Sequence, residues 1–462
     1  MKKRFSILLA GILDLAMATS CSSDDDAPIV GGGNGNGENE LIVLEGNLAT
    51  RTLTKNEKYL LKGQVFVREG QTLTIEPGTV VFGDKATKGT LVIDRGGKIM
   101  AEGTLDEPIV MTSVLPAGSR DRGDWGGLVV LGRARTNQNN PEIEGISPAV
   151  IFGGTDDNDD SGIMKYLRVE FAGIELTPNN ETNSITMGGV GKQTVLEYAM
   201  VSYGGDDGFE WFGGNNDGKY LISLGMWDDD FDVDFGYTGR NQYGLAVRYA
   251  SFADQSGSNG FECDNGPNDD VTSLLTEGVF SNFTVLGPRL TSNQSISNNY
   301  QHAIDLRRRV AVTIANSVFV GFPRGIRMNQ QSVATNFENG TGNLLNNYMV
   351  APSQTFLKGF DGEFDLEAFW NATNEVNTGT DFPAIYANLG LRDEMFFGNV
   401  PNNQFPSDPN FAVNSGALLS GASFEHAKLS DGYFDVVNFR GAFGGTDWTN
   451  GWAEFDPISK EY

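Results

Sequence analysis

The stretch YLLKGQVFVREGQTLTIEPGTVVFG, residues 59–83, decides the fold class. Four apolar clusters lie close together in it, at Tyr59–Leu61, Val65–Val67, Leu73–Ile75 and Val80–Phe82. Only short glycine-containing turns separate them, which favours a coiling chain over long hairpins. In a parallel β-helix each coil stacks on the previous one, and inward side chains stack on their equivalents one turn below. The sequence therefore predicts an all-β solenoid.

The same arrangement repeats further along the chain, in LVIDRGGKIMAEGT and PIVMTS between residues 91 and 113. From residue 162 six similar units follow: RVEFAG, MVSYGG, LISLG, YASFA, NFTVLG and NSVFVG. Counted at Gly173, Gly204, Gly225, Ala253, Gly287 and Gly321, the units are spaced by 31, 21, 28, 34 and 34 residues. An irregular period of this kind is typical of coils that loops of different length interrupt. The clearest coil is RRRVAVTIANSVFVGFPRGIRM, residues 307–328.

We expect the β-helix to occupy residues 41–345, with an acidic loop inserted at 132–161. Residues 346–430 contain the helical pattern DLEAFWNATNEV, which Asp365 can cap, and we expect this insertion to pack against the side or end of the solenoid. Residues 431–462 are rich in Phe and Trp. We interpret them as an aromatic cap over the last coil.

The first 20 residues have the pattern of a secretory signal, with a basic start and an apolar stretch. Small residues before Cys21 resemble the lipobox of bacterial lipoproteins, in which this cysteine is lipidated. Ser23 and the acidic residues Asp24, Asp25 and Asp26 resemble the surface-export signal of Bacteroidota lipoproteins. Residues 21–40 would form a lipidated flexible tether. The pattern predicts a lipid-anchored outer-membrane protein at the cell surface; a periplasm-facing lipoprotein or plain secretion are the alternatives.

The composition narrows the function classes. The chain has 60 acidic against 33 basic residues and a formal net charge of −27. Such a protein repels phosphate backbones, which argues against nucleic-acid binding. Anionic glycans such as pectin would be repelled too, unless bound cations bridge the two. Cys263 has no partner cysteine once Cys21 is lipidated, so no intrachain disulfide is expected.

The stretch DDGFEWFGGNNDGKYLISLGMWDDDFDVDFG, residues 206–236, carries the candidate site. A strand from Trp227 to Phe235 would place alternate aspartates on one face, with Asp229 as the misfit. The 21-residue spacing is about one turn and would bring the preceding aspartate pair alongside. Carboxylates are Ca²⁺ ligands, so we predict a Ca²⁺ site formed by Asp206, Asp207, Asp228, Asp230, Asp232 and Asp234. Asp217 offers a further carboxylate.

The spacing is not that of an EF-hand, because Val233 stands where glycine is required. Two alternatives to a metal site remain. The acidic face could dock a cationic partner, or it could be a solvated edge that prevents aggregation.

Four segments resemble a group of Bacteroidota surface proteins with a right-handed parallel β-helix, similar in coil architecture to the pectate-lyase superfamily. They are GQVFVREGQTLTIEPGTVVFG, AEGTLDEPIVMTS, GDWGGLVVLG and RGAFGGTDWTNGWAEFDP. The resemblance implies this fold. The irregular spacing and the helical pattern described above add long loop insertions and a small C-terminal region containing a short helix. By analogy, surface lipoproteins of such bacteria cap TonB-dependent transporters, so the implied partner is a transporter or another outer-membrane barrel.

Catalytic activity must also be weighed, although we assign no catalytic residue. Asp206 and Asp207 would suit the acid pair of a glycoside hydrolase. However, neither His302 nor His426 lies in the Gly-His-Gly motif of polygalacturonases, and their Arg-Ile-Lys element is missing. We expect both histidines to be structural. A Ca²⁺-dependent polysaccharide lyase would need an arginine or lysine base, for which Arg240, Arg248 and Arg307–Arg309 are candidates.

The leading interpretation is a non-catalytic binding or accessory subunit, since a long solenoid face suits an extended glycan or a broad protein contact. The alternatives are a Ca²⁺-dependent polysaccharide lyase or glycoside hydrolase, and an adhesin or structural surface protein.

Overall fold

The computed structural model describes residues 41–177, 180–398 and 405–462. The predicted signal peptide, the tether, Cys21, Ser23 and Asp24–Asp26 lie outside the described residues. Among the residues described, no helix has the length and apolarity needed to cross a bilayer. Cys263 is a buried free thiol.

Short strands dominate the described chain, and hydrogen bonds join 26 of them laterally. The first group is β1 (Ile42–Leu48), β2 (Arg51–Leu53), β3 (Lys58–Val67), β4 (Thr72–Ile75), β5 (Val80–Gly83), β6 (Thr90–Ile93), β7 (Lys98–Glu102), β8 (Ile109–Ser113) and β9 (Leu128–Leu131). The middle group is β10 (Gly162–Glu170), β11 (Glu175–Thr177), β12 (Asn180–Glu181), β13 (Ile185–Val190), β14 (Val195–Ser202), β15 (Phe209–Gly214), β16 (Asp217–Leu224), β17 (Phe231–Asp234), β18 (Arg240–Val247), β19 (Phe261–Cys263) and β20 (Val279–Leu286). The last group is β21 (His302–Leu306), β22 (Thr313–Ala315), β23 (Val318–Val320), β24 (Arg324–Met328), β25 (Asn343–Leu345), β26 (Tyr348–Val350), β27 (Phe356–Lys358) and β28 (Glu375–Asn377).

The register of these strands defines three parallel sheets, which the chain visits in the order I, II, III in each coil. Sheet I runs through β5, β8, β23, β26 and β28 and the C-terminal halves of β10, β14, β16, β18 and β20. Sheet II contains β6, β9, β13, β15, β17, β19, β21, β24 and β27. Sheet III contains β2, β4, β7, β22 and β25 and the N-terminal halves of the long middle strands. The predicted parallel β-helix is confirmed.

The core is a stack of equivalent side chains from successive coils. Phe209, Phe231 and Phe261 occupy matching positions on sheet II, where all three are fully buried. Their ring centroids are 5.8 and 5.1 Å apart. Strand residues alternate between faces, so the residues beside these phenylalanines point outward.

Each long middle strand passes from sheet III to sheet I at a one-residue corner. These corners carry a row of tyrosines, Tyr166, Tyr198, Tyr220 and Tyr243. Each has positive φ, between 47° and 65°, which turns the chain from one sheet into the next. Successive rings stack with centroids 4.5, 4.3 and 5.0 Å apart. We call this row the tyrosine ladder.

The described residues form three α-helices, of which the sequence predicted one. Helix α1 (Gln331–Glu338) and helix α3 (Phe382–Leu389) carry no cap pattern that we identified from sequence. Helix α2 (Leu366–Asn371) is the predicted one, and the Asp365 side chain accepts a hydrogen bond from Ala368 N at 2.9 Å. Trp370 of this helix is fully buried in the core beside the last coil.

The end of the β-helix and the position of the C-terminal aromatic segment differ from the prediction. Strands β26, β27 and β28 extend sheets I and II to Asn377, beyond the predicted end at residue 345. The aromatic segment of residues 431–462 lies along the tyrosine ladder. Trp452 makes edge contacts with Tyr166 and Tyr198, and Trp448 with Tyr220. The tryptophans pack against the rings of the ladder tyrosines. The sequence did not show that these tyrosines stack at one corner, so this packing was not predicted.

Five of the six repeat units contribute to strands of sheet I, and one does not. The unit YASFA is not a strand, because β18 ends before it at Val247. The predicted strand from Trp227 to Phe235 is also shorter, since only Phe231–Asp234 pair in β17 and residues 227–230 form a turn.

Candidate cation-binding site

Sheet II carries a row of carboxylates on its outer face. Glu210 of β15, Asp232 of β17 and Glu262 of β19 occupy matching positions in adjacent coils. They face outward because their neighbours Phe209, Phe231 and Phe261 point into the core. Parallel in-register stacking places these acids one strand spacing apart, roughly 4.8 Å. We call them, together with Asp206, Asp207, Asp228 and Asp229, the acidic cluster.

The turns that precede β15 and β17 hold the remaining aspartates. Asp207 Oδ1 accepts a hydrogen bond from Asp229 N at 2.7 Å, so one coil's carboxylate fixes the next coil's backbone. Asp229 in turn accepts from Asn259 N, and Asn259 Oδ1 accepts from His302 N at 3.0 Å. This polar ladder orders the turns of four coils at the corner between sheets I and II. Asp207 and Asp229 each also bring one carboxylate oxygen close to oxygens of the cluster.

Three sets of carboxylates bring one oxygen from each member within 4.8 Å of the others. The sets are Asp206, Asp207 and Asp228; Asp207, Glu210 and Asp232; and Asp229, Asp232 and Glu262. Asp207 and Asp232 each belong to two sets, so the sets form one continuous oxygen-rich surface. Ca²⁺ takes six to eight oxygen ligands. The carboxylates present therefore fit a bound Ca²⁺ ion.

Some of these oxygens have no protein donor. Asp228 Oδ1 and Asp232 Oδ1 are enclosed, and neither accepts a hydrogen bond from the residues described. A buried carboxylate oxygen without a donor is costly unless a cation or water satisfies it. A bound cation would remove that cost.

The charge state of the cluster without a cation follows from the same crowding. Burial first, and neighbouring carboxylates second, raise the pKa of Asp206, Asp207, Asp232, Glu210 and Glu262 well above the usual range.

The pKa values of Asp228 and Asp229, at the edge of the cluster, are raised as well. Burial, with repulsion from Asp229, raises the pKa of Asp228 to about 8. Burial raises the pKa of Asp229 to about 7, although the hydrogen bond from Asn259 opposes the shift.

Arginines border the cluster on one side. Arg307 Nε donates to Asp264 Oδ2 at 2.9 Å, and its Nη2 pairs with Glu262. Arg308 Nη1 lies 2.7 Å from Asp264 Oδ2. The Arg307 guanidinium is thus clamped between two carboxylates. Such a clamp suits positioning of the acids better than proton abstraction.

Two pockets flank the cluster. One of about 240 Å³ lies between the inserted loop 132–161 and β15, and its lining includes Glu142, Glu144, Glu181, Asp206 and Glu210. The second, of about 500 Å³, is lined by Glu181, Gly205, Asp206, Asp228, Asp254, Gln255 and Ser256. The described residues that line these pockets include several acids and no basic side chain. Both pockets favour positively charged occupants.

The structure brings four of the six predicted Ca²⁺ ligands together and places the other two elsewhere. Asp206, Asp207, Asp228 and Asp232 come together as the 21-residue spacing suggested. Asp230 instead turns inward: Ser223 Oγ donates to its Oδ1 at 2.7 Å, and Arg248 Nη1 lies 3.3 Å from the same oxygen. The alternation rule misplaced it because residues 227–230 form a turn.

Asp234 and Asp217 also lie outside the three sets. Asp234 Oδ1 accepts from Phe235 N at 2.6 Å, and burial with repulsion from Asp264 raises its pKa to about 7. Asp217 begins β16 on sheet III, where Arg240 Nε donates to it at 3.0 Å. Arg240 is therefore remote from the acidic cluster in the topology.

Sequence reasoning missed Glu210, Glu262 and Asp229. The signal for the first two was present, since Phe209-Glu210-Trp211 and Phe261-Glu262-Cys263 alternate as Phe231-Asp232-Val233 does. Asp229 was set aside as a misfit of a strand that is in fact a turn.

The histidines have structural surroundings. His302 is buried, and burial lowers its pKa to about 4. His426 Nδ1 accepts a hydrogen bond from Lys428 N at 3.3 Å in the C-terminal segment.

Three parallel sheets with inserted loops define an all-β solenoid of the parallel β-helix class, here with an acidic site on one sheet. Residues 46–388 match the family model described as pectate-lyase like beta helix domain, so the chain belongs to that family.

Among solved structures, the chain aligns with the Dettilon tailspike protein at 10% sequence identity and a TM-score of 0.26. That alignment covers 75% of this chain and 64% of the tailspike chain, which is slightly less than two thirds of it. The search of curated proteins gave no match.

Proposed function

We propose that this protein is a non-catalytic, Ca²⁺-dependent binding protein, which holds an extended glycan or a protein partner along sheet II. The observation that carries the proposal is Asp232, whose carboxylate belongs to two convergent sets and has one enclosed oxygen without a donor. With a net charge of −27 the chain repels anionic ligands. A bound Ca²⁺ ion would reverse that repulsion locally and bridge the cluster to ligand oxygens.

The test is a Ca²⁺ titration of the purified protein by calorimetry. Asp232→Asn should lower Ca²⁺ affinity by roughly tenfold or more, because the variant loses a ligand charge shared by two sets. Asp106→Asn is the matched control, since Asp106 is exposed and outside the cluster. Equal affinities of the wild type and Asp232→Asn, or no saturable binding, would overturn the cation site.

We further propose that the protein lies on the outer membrane, exposed at the cell surface and anchored by a lipid on Cys21. The sequence around Cys21 and the acidic run Asp24–Asp26 support this location. The partner we propose, by analogy with other surface lipoproteins, is an outer-membrane barrel or TonB-dependent transporter. A mild-detergent pull-down of the lipidated protein from its native membrane tests it. Co-purification of a barrel in fixed ratio is expected, and recovery of the protein alone would contradict it.

A second candidate function is a Ca²⁺-dependent polysaccharide lyase. Arg307 favours it, because this guanidinium contacts Glu262 of the acidic cluster, where a base would be required. The clamp on Arg307 argues for the non-catalytic alternative. Incubation of polygalacturonate with the protein and Ca²⁺, monitored by absorbance of the unsaturated product, separates the two. Product formation that Arg307→Gln abolishes would establish the lyase.

A further inference from the structure

The two pockets that flank the acidic cluster adjoin each other, because Glu181 and Asp206 line both of them. We call the one of about 240 Å³ the aromatic pocket and the one of about 500 Å³ the turn pocket. Each has carboxylates in its walls, and no lysine or arginine of the described chain lines either one. The joined space is of the size that small organic ligands occupy.

Two phenylalanine rings form one wall of the aromatic pocket. Phe212 follows Glu210 by two residues on β15, so both side chains point to the outer face of sheet II. The Phe212 and Phe235 rings pack with centroids 5.1 Å apart, and both are only half-buried. A metal ion gains little from such an apolar wall. An alkylammonium group gains a cation–π attraction there and a surface for its methylene groups.

A carboxylate oxygen of the turn pocket lacks a donor. Ser256 Oγ donates to Asp228 Oδ2 at 2.9 Å, and Ser256 N and Trp227 Nε1 donate to the two oxygens of Asp254 at 2.7 and 3.0 Å. Asp228 Oδ1, in contrast, is enclosed and accepts no hydrogen bond from the described residues. A donor on a ligand would satisfy this oxygen, and an ammonium group carries three donors.

We propose that the two pockets together bind a linear aliphatic diamine or polyamine. One ammonium group enters the aromatic pocket beside Glu210, and another enters the turn pocket beside Asp228 and Asp254. The shared acids Glu181 and Asp206 lie where the pockets meet, so they attract the ligand at both positions. A single lysine side chain would supply an ammonium group to only one of the two pockets.

This inference goes beyond the proposed Ca²⁺ site and does not rest on it. Glu181, Asp254 and the two phenylalanines belong to none of the three carboxylate sets that could hold a metal ion. Substitutions at these positions therefore separate amine binding from cation binding.

Calorimetric titrations in chelator, at physiological ionic strength, test the pockets while screening non-specific attraction to the acidic chain. The probes are spermidine, cadaverine, pentylamine and pentane-1,5-diol, which differ in the number of amino groups on a similar aliphatic chain. Saturable binding of spermidine or cadaverine is expected, with weaker binding of pentylamine and none of the diol. A peptide with a single lysine should bind no better than pentylamine. No saturable binding of either polyvalent amine, or equal binding of pentylamine or of the lysine peptide, would overturn the proposal.

Variants assign the binding to the pockets. Phe212→Leu keeps the apolar bulk but removes the ring, and should weaken binding by roughly threefold or more. Glu181→Gln removes an exposed charge shared by both pockets and should weaken binding by about threefold. Glu45→Gln is the control of equal charge change, since Glu45 is exposed on β1 and lines neither pocket.

The same variants are titrated with Ca²⁺ alone, and Phe212→Leu and Glu181→Gln should keep the affinity of the wild type. A failure of the cation site would thus leave the amine result intact. Parallel losses of amine and Ca²⁺ affinity in both variants would mean that the amine only replaces Ca²⁺ in the acidic cluster, and the inference would be overturned. Amine binding that both variants leave at the level of Glu45→Gln would also overturn it.

Discussion

His302 closes the polar ladder that starts at Asp207, and its neutral form is the one the fold accepts. Burial lowers its pKa from the ordinary value of 6.5 to about 4. Because the pKa of His302 is lower in the folded state than in the unfolded state, its contribution to stability is fully present above pH 6.5, where the side chain is neutral in both states. That contribution is lost as the pH falls towards about 4.

We therefore expect the unfolding free energy of the wild type to decrease between about pH 6.5 and pH 4 relative to His302→Asn, by up to about 3 kcal/mol. Urea unfolding at several pH values measures both proteins. The quantity to compare is the difference between them, because the carboxylates titrate in both. Parallel pH profiles would show that the pKa of His302 is the same in the folded and unfolded states, which would contradict the prediction.

Arg248 and Asp230 form an ion pair with both side chains fully buried. Removing one member of such a pair leaves an isolated buried charge, which costs about 3–5 kcal/mol. Arg248→Met should destabilise by about that amount in denaturant unfolding, whereas the double variant Arg248→Met/Asp230→Asn should recover part of the loss. If the double variant is less stable than Arg248→Met alone, the pair does not explain the effect.

Among elements, the C-terminal segment and the tyrosine ladder depend on each other. Trp452 is fully buried, contacts two ladder tyrosines and donates its Nε1 hydrogen to Trp448 O at 2.9 Å. Trp452→Ala should lower the unfolding free energy by about 3–5 kcal/mol, because a large buried side chain is removed. The same variant should speed amide hydrogen exchange across residues 431–462.

Val436 provides the control in the same segment, since it is 78% exposed. Val436→Ala should change stability by less than about 0.5 kcal/mol. If Trp452→Ala leaves hydrogen exchange of the segment unchanged, the segment is held by other contacts.

The sequence predicted the elements that depend on local alternation and failed where tertiary contacts decide. Short apolar clusters and glycine turns sufficed for the coils, and Asp365 sufficed to place α2. The segment around Trp452 was assigned to the last coil because sequence shows an apolar surface but not its receptor. That receptor exists only when tyrosines 32, 22 and 23 residues apart stack in adjacent coils.

The site shows the same division. The spacing from Asp206 to Asp228 matched one coil, so their proximity was predictable. The strand assignment of residues 227–230 was not, because four consecutive polar or aromatic residues satisfy a turn as well as an edge strand. For this reason Asp230, predicted as a ligand, points into the interior, whereas Asp229, predicted as the misfit, belongs to the acidic cluster. Whether Asp232 and its neighbours bind Ca²⁺ stays a prediction.

On the scale of the whole molecule, the acidic cluster couples stability to pH and to cations. In the cation-free protein the pKa of Asp228 is raised to about 8 and that of Asp229 to about 7, chiefly by burial. A carboxyl whose folded pKa exceeds its unfolded pKa of 3.8 stabilises the fold while it is protonated. That contribution is complete below about pH 4 and is lost as the pH rises through 7 to 8. Above that range the charged carboxylates repel one another.

We expect the melting temperature in chelator to be lower at about pH 8.5 than at about pH 6. Millimolar Ca²⁺ should raise it more at the higher pH, because the ion binds the deprotonated carboxylates and must compete with protons at the lower pH. Differential scanning calorimetry of the wild type and of Asp232→Asn measures both effects. Asp232→Asn should be more stable than the wild type in chelator at the higher pH and should gain less from Ca²⁺. A wild type whose melting temperature responds to neither pH nor Ca²⁺ would mean that the cluster is neutralised in another way, and the cation site would have to be abandoned.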